Sequence, residues 1–148
     1  MKKLNAIKYI KALSVLKDKV DVNTALDLWG AALASSWQCA PVWVHGDISA
    51  GNLLVQEGRL TAVIDFGQLS VGDPACDLSI AWTLFEGESR EVFLSTLSFD
   101  SGTWIRGLAW TLWKALITAA NLTNPNNLEA AQCWHIIEEV LKDYRDKH

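Results

Sequence analysis

Asp47, Asn52 and Asp65 are the residues of this chain whose types and spacing could do chemistry. The first two stand in His45-Gly46-Asp47-Ile48-Ser49-Ala50-Gly51-Asn52, and the third opens Asp65-Phe66-Gly67, eighteen positions after Asp47. Such a set suits phosphoryl transfer. That reaction asks a protein mainly to align an acceptor hydroxyl with a phosphorus and to hold the phosphate oxygens through metal. Asp47, on a loop after a strand, can accept the hydrogen bond of an attacking hydroxyl and then its proton. Asn52 and Asp65 offer a neutral and an anionic oxygen, which suit hard Mg²⁺ as it keeps water and phosphate among its ligands. Gly46 and Gly51 let the loop turn tightly, and Gly67 frees the chain after Asp65. A turn aspartate, a loop-capping asparagine and a strand-end aspartate are each common alone. Their succession in this order carries the assignment. His45, beside Asp47, reads as a hydrogen-bonded scaffold residue in place of a proton carrier.

These residues need elements to position them. Val42-Trp43-Val44 reads as a strand entering the loop. Leu53–Val55 and Leu60–Ile64 read as a hairpin through Gln56-Glu57-Gly58-Arg59, with Gly58 free to take a positive φ. That hairpin returns the chain from Asn52 to Asp65. Upstream, Leu4, Ile7, Ile10, Leu13, Leu16 and Val20 predict an amphipathic helix over 4–20. Asp21 is the expected N-cap of a second over 22–37, with Val22, Ala25, Leu26, Trp29, Ala32, Leu33 and Trp37 inward, and Pro41 closes the helical region. Downstream, Asp73-Pro74 pairs a capping carboxylate with a proline at the first helical position. Ala75, Leu78, Ile80, Ala81, Trp82 and Phe85 fill that helix toward Gly87. A short helix over 89–97 follows, then a longer one facing inward with Trp104, Ile105, Leu108, Leu112, Trp113, Leu116 and Ile117. Asn124-Pro125 signals a last helix carrying Leu128, Ala131, Trp134, Ile137, Leu141 and Tyr144. Asp73 reads as a cap alone, and Arg106 and Lys114 as a solvated helix face around Trp110.

The fold class is mainly α with a small β-hairpin, α+β, in one domain over 1–148: helices 4–20 and 22–37, catalytic loop and hairpin 42–67, helical remainder 73–146. Half of the 148 residues are hydrophobic and eight are tryptophan, which excludes a disordered chain. A net charge of −4 gives no footprint for nucleic acid. Cys39, Cys76 and Cys133 are odd in number and far apart, as in reduced thiols, not a disulfide frame or a zinc site. Lys8, Lys11, Lys17 and Lys19 interrupt any signal-peptide core, and Trp104–Ala120, with Arg106 and Lys114, is too short to span a bilayer. A soluble cytoplasmic protein without a membrane partner is expected. A di-metal phosphoesterase would need several imidazoles, against only His45, His135 and His148.

The motifs HGDxxxGN (His45–Asn52), Leu53-Leu54-Val55, IDFG (Ile64–Gly67) and Gly72-Asp73-Pro74-Ala75-x-Asp77-Leu78 resemble the catalytic core of the aminoglycoside phosphotransferase and choline-kinase-like family, within the protein-kinase-like fold. His-Gly-Asp in place of His-Arg-Asp points to its small-molecule kinases. The resemblance implies Asp47 as catalytic base, Asn52 and Asp65 as Mg²⁺ ligands, and Asp77 as a structural buttress of the loop. ATP or GTP would be donor and a small-molecule hydroxyl the acceptor. Glu86, Glu88, Glu91 and Asp100 would meet a polyamine sugar, unless they are ordinary solvated charges. Before Gly46 the only glycine is Gly30, and every lysine falls in helical sequence. The chain therefore resembles a C-terminal lobe without the N-terminal lobe that covers ATP, a truncated O-phosphotransferase. The other expectation is a catalytically silent remnant that binds partners or forms homo-oligomers through the surface a lobe would cover.

Overall fold

Tyr9 sets the first helix. In the computed structural model, which describes residues 3–147 with side chains from residue 5 onward, α1 (Lys3–Leu16) buries Tyr9, Ala12, Leu13 and Leu16. Its ring stacks on Trp29 at 4.1 Å, and its hydroxyl donates to the Ala25 carbonyl at 2.7 Å. Burial pushes that phenol's pKa upward. Leu13 and Leu16 face inward as predicted, but Tyr9 takes the inward place expected of Ile7 and Ile10, which are 66% and 52% exposed. The helix also ends at Leu16, short of the predicted residue 20. Leu4 falls outside the described side chains, and Met1, Lys2 and His148 outside the described residues altogether.

Asp21 caps α2 (Val22–Ala34) by accepting from the Thr24 N–H. The inward set is Ala25, Leu28, Trp29 and Ala32, while Leu26 and Leu33 face out. The helix stops at Ala34, not at the predicted 37, because Ser35 is extended and its hydroxyl bonds the Ala32 and Gly102 carbonyls. Gly30 lies inside α2, and Lys8 and Lys11 on α1.

Two small antiparallel sheets follow. β1 (Val42–Val44) pairs with β4 (Ser70–Gly72), placing Trp43 opposite Val71. The strand β4 is absent from the sequence-based expectation, since three residues show no alternation. β2 (Leu53–Gln56) and β3 (Arg59–Val63) form the hairpin, turned at Glu57 and Gly58 with φ of 51° and 75°. Two successive positive φ values match the twist of the flanking strands.

Asp73 caps a 3₁₀ helix, Pro74–Ser79, which runs into the short α3 (Ile80–Thr83). The predicted helix toward Gly87 thus breaks early. Arg90 closes it, its Nε donating to the carbonyls of Ala81 and Phe85 while Nη1 pairs with Glu139 at 2.8 Å. Gly87 opens the next helix, α4 (Gly87–Thr96). α5 (Ser101–Ala119) is capped by Asp100 and is the central helix, touching α1, α2, α6 and the 3₁₀ helix. α6 (Asn127–Lys147) starts two residues after the predicted Asn124-Pro125 signal. Asn126 is the cap: its Oδ1 accepts the Glu129 N–H, and the Glu129 side chain accepts the Asn126 N–H. Leu128 is exposed, whereas Cys133, Ile137, Val140 and Leu141 are buried.

The core lies among α1, α2, α5, α6 and the segment 74–82. The sheets stay outside it, and Trp43, Val55, Leu60 and Val71 are more than half exposed. The architecture is α+β, mostly helical with small antiparallel sheets. Among the described residues, no helix is long and apolar enough to cross a membrane.

Candidate active site

The loop after β1 hangs from one carboxylate. Asp77, on the 3₁₀ helix, accepts the His45 backbone N–H at 2.7 Å through Oδ2 and the Gly46 N–H at 2.8 Å through Oδ1. Hydrogen bonds to an ionised acceptor are the strong kind. Gly46 has φ +84°, and a Cβ there would stand 2.6 Å from the Gln68 carbonyl oxygen. Only glycine meets both the left-handed backbone and that close approach. Gly51 and Gly67 differ from the expectation. Neither has a positive φ or a prohibitive neighbour; both lie in 3₁₀ turns, Ala50–Asn52 and Phe66–Gln68.

His45 is buried and doubly engaged. Its Nδ1 accepts the Asp47 N–H at 3.3 Å, which leaves Nε2 as the nitrogen donating to the Ile64 carbonyl at 2.8 Å. Its ring also packs on Phe66 at 4.8 Å. The imidazole thereby ties the loop to the end of β3. Asn52 Nδ2 donates to the Asp47 carbonyl at 2.9 Å, so the amide atom left for a cation is Oδ1. The Ile64 N–H donates to the Asn52 carbonyl at 2.9 Å, closing the hairpin where Asp65 follows. Asp65 is exposed and left-handed, φ 62° and ψ 62°, an uncommon state for a residue with a Cβ. One neutral amide oxygen and one exposed carboxylate fit Mg²⁺, which leaves most of its shell to water and phosphate. Among the described residues no cluster of three or more His, Cys, Asp or Glu side chains could hold a metal.

The two cations assigned to a solvated face are both engaged. Arg106 is buried and pairs with Asp73, Nε to Oδ2 at 2.6 Å and Nη2 to Oδ1 at 3.3 Å. It also donates to Ser35 Oγ and Thr103 Oγ1. Asp73 is therefore more than a cap: it pairs with Arg106 of α5, and Arg106 in turn reaches Ser35 at the end of α2. Lys114 Nζ lies 2.9 Å from Asp47 Oδ1. One signal for Arg106 was readable, as it is the only charge between Asp100 and Lys114 in an otherwise uncharged run, where a buried cation demands a partner. Nothing local marks Lys114, 67 residues from Asp47.

Cys76, beside Asp77, has its thiol pushed up to about 11, first by burial and then by the charges of Asp77 and Asp73. The remaining acidic candidates are elsewhere. Glu86 caps α4 and faces His135 at 3.6 Å, and Glu88 and Glu91 are exposed on α4, which packs on α3. Asp100 is engaged by the Thr103 N–H and hydroxyl, which hold its carboxyl below the usual range. No described hydrogen bond or ion pair joins these four to Asp47.

Residues 7–115 match the phosphotransferase enzyme family APH, and the chain belongs to that family. One curated relative is the aminoglycoside 3'-phosphotransferase of Escherichia coli, 41% identical over 46 residues, which are 31% of this chain and 17% of that protein. No solved structure matches.

Proposed function

We propose that this chain is the C-terminal, base-and-metal lobe of a kinase-like small-molecule O-phosphotransferase. It would transfer the γ-phosphoryl group of ATP or GTP to a hydroxyl of an aminoglycoside-like substrate. The observation that carries this is the joint suspension of the loop and hairpin. Asp77 holds the loop backbone, His45 ties it to β3, and the Asn52–Ile64 bond sets Asp65 one residue beyond. Family membership and the similarity to an aminoglycoside 3'-phosphotransferase support the same class.

In this scheme the acceptor hydroxyl donates to Asp47 and attacks the γ-phosphorus. The new O–P bond forms as the bond to the bridging oxygen breaks. The nucleoside diphosphate leaves and the hydroxyl proton passes to Asp47. Asn52 Oδ1 and the Asp65 carboxylate would hold Mg²⁺, whose charge offsets that of the phosphates. His45 and Asp77 hold the loop. Glu86, Glu88, Glu91 and Asp100 are solvent-facing carboxylates that would meet a cationic acceptor, Glu86 beside His135 and Asp100 held by Thr103. The test is diphosphate release by the purified chain with Mg-ATP and a panel of aminoglycosides, for the natural chain and Asp47→Ala. Turnover untouched by the substitution would sink the mechanism.

A second reading has its own observation. The exposed apolar side chains of Trp43, Val55, Leu60 and Val71 favour a kinase-fold module that assembles with copies of itself. Sedimentation tests it, and a strictly monomeric profile at high concentration counts against it.

A further inference from the structure

Lys114 has no part in the scheme above, yet its ammonium meets the proposed base. The contact follows from how α5 is seated. Gly107 is where α5 presses on the 3₁₀ helix: a Cβ there would be 3.1 Å from Leu78 Cβ and 3.3 Å from the Ala75 carbonyl oxygen. Glycine permits that approach, and the neighbouring Arg106 locks the helix rotation through Asp73. Seven residues are close to two turns, so Lys114 continues the face of Gly107. The loop that bears Asp47 hangs from Asp77 on the same 3₁₀ helix. Helix and loop thus share one reference element, and its geometry brings Lys114 Nζ to 2.9 Å from Asp47 Oδ1.

Stability does not explain this pair. Its side chains are 48% and 44% exposed, and such pairs contribute little to folding. Orientation does. An aspartate rotates about two torsions, whereas a base must aim one oxygen at the proton it receives. With Oδ1 held by the ammonium, Oδ2 is the atom left for the acceptor hydroxyl. We propose that Lys114 is a positioning residue that fixes the Asp47 carboxylate so that Oδ2 takes the acceptor proton. This rests on the phosphotransferase assignment with Asp47 as base.

The test measures kcat and KM on the full chain carrying Lys114→Met, Lys114→Arg, Asp47→Asn, or Asp47→Asn with Lys114→Met. Lys114→Met should lower kcat by about tenfold to a hundredfold, the scale of a misplaced reacting group, with KM for ATP and the melting temperature unchanged. Lys114→Arg should recover part of the loss. The double variant should be no worse than Asp47→Asn, because a lysine acting through Asp47 has nothing left to orient. Unchanged kcat in Lys114→Met, with Asp47→Asn inactive, would overturn this inference alone. So would a raised KM for ATP at full kcat, which would make Lys114 a phosphate ligand. Equal turnover by the natural chain and Asp47→Asn would overturn the assignment of the base itself. A further arm needs no turnover: acetylation of Lys114, followed by mass spectrometry, should be faster in Asp47→Asn. An unchanged rate would mean the pair does not form in solution.

Discussion

Asp77→Ala is the substitution whose cost can be worked most directly from the structure. It removes the acceptor of two backbone N–H groups, 2.7 Å from His45 and 2.8 Å from Gly46. Hydrogen bonds to a charged partner contribute about 1.5–3 kcal/mol each, so roughly 3–6 kcal/mol is at stake. The segment is only partly buried, and water would re-bond one of the two groups, which reduces the expected loss to about 2–4 kcal/mol. The loop cannot recover by sliding, since Gly46 is pressed against the Gln68 carbonyl. Urea unfolding with linear extrapolation reads the loss. Cys76 gives an independent signal. Its thiol is pushed up to about 11 by burial and by the adjacent Asp77 charge, so removing that charge increases the thiolate fraction at pH 8. Iodoacetamide should then modify Cys76 faster in the variant. A stability change under about 0.5 kcal/mol would refute the suspension of the loop from Asp77, and unchanged Cys76 labelling would refute the action of the Asp77 charge on that thiol.

Three further outcomes follow from the same structure. Asp73→Ala strands the buried Arg106 guanidinium with only Ser35 and Thr103, and should cost about 2–4 kcal/mol by chemical denaturation. Gly46→Ala combines a left-handed backbone with a Cβ 2.6 Å from an oxygen, and should cost about 1–3 kcal/mol and lower the melting temperature. Asp100 is held below its ordinary 3.8 by the Thr103 hydrogen bonds, and Glu139 below its ordinary 4.5 by Arg90. Depressed carboxylates stabilise the fold while ionised, so their contribution is complete above those values and lost as pH falls below them. Melting temperature should therefore drop on acidification below pH 4.5, and less steeply in Asp100→Asn.

The legible features of the sequence were those written in short-range chemistry. Asp21 and Asp73 cap helices because a carboxylate reaches an N–H two or three residues on, and Gly58 turns a hairpin because no Cβ opposes its φ. Helical periodicity disclosed that α1 and α2 exist and set Leu13, Leu16, Ala25, Trp29 and Ala32 inward, but it passed over Tyr9 and Leu28 in favour of Ile7, Ile10, Leu26 and Leu33. Tyr9, with a polar tip, outcompetes Ile7 for the core because Trp29 stacks on its ring and Ala25 accepts its hydroxyl. β4 was invisible because its pairing with β1 is a tertiary event in three residues. In the site, the order Asp47, Asn52, Asp65 could be read directly. The contacts of Arg106 with Asp73 and of Lys114 with Asp47 span 33 and 67 residues, and exist only once α5 is seated on the 3₁₀ helix.

The most direct test of the central claim is ³¹P NMR of the natural chain incubated with Mg-ATP and an aminoglycoside, beside Asp47→Asn. A phosphomonoester signal growing with the natural chain and reduced at least about a hundredfold in Asp47→Asn is the predicted result. Inorganic phosphate as the sole product, or the same phosphomonoester signal from both proteins, would contradict it.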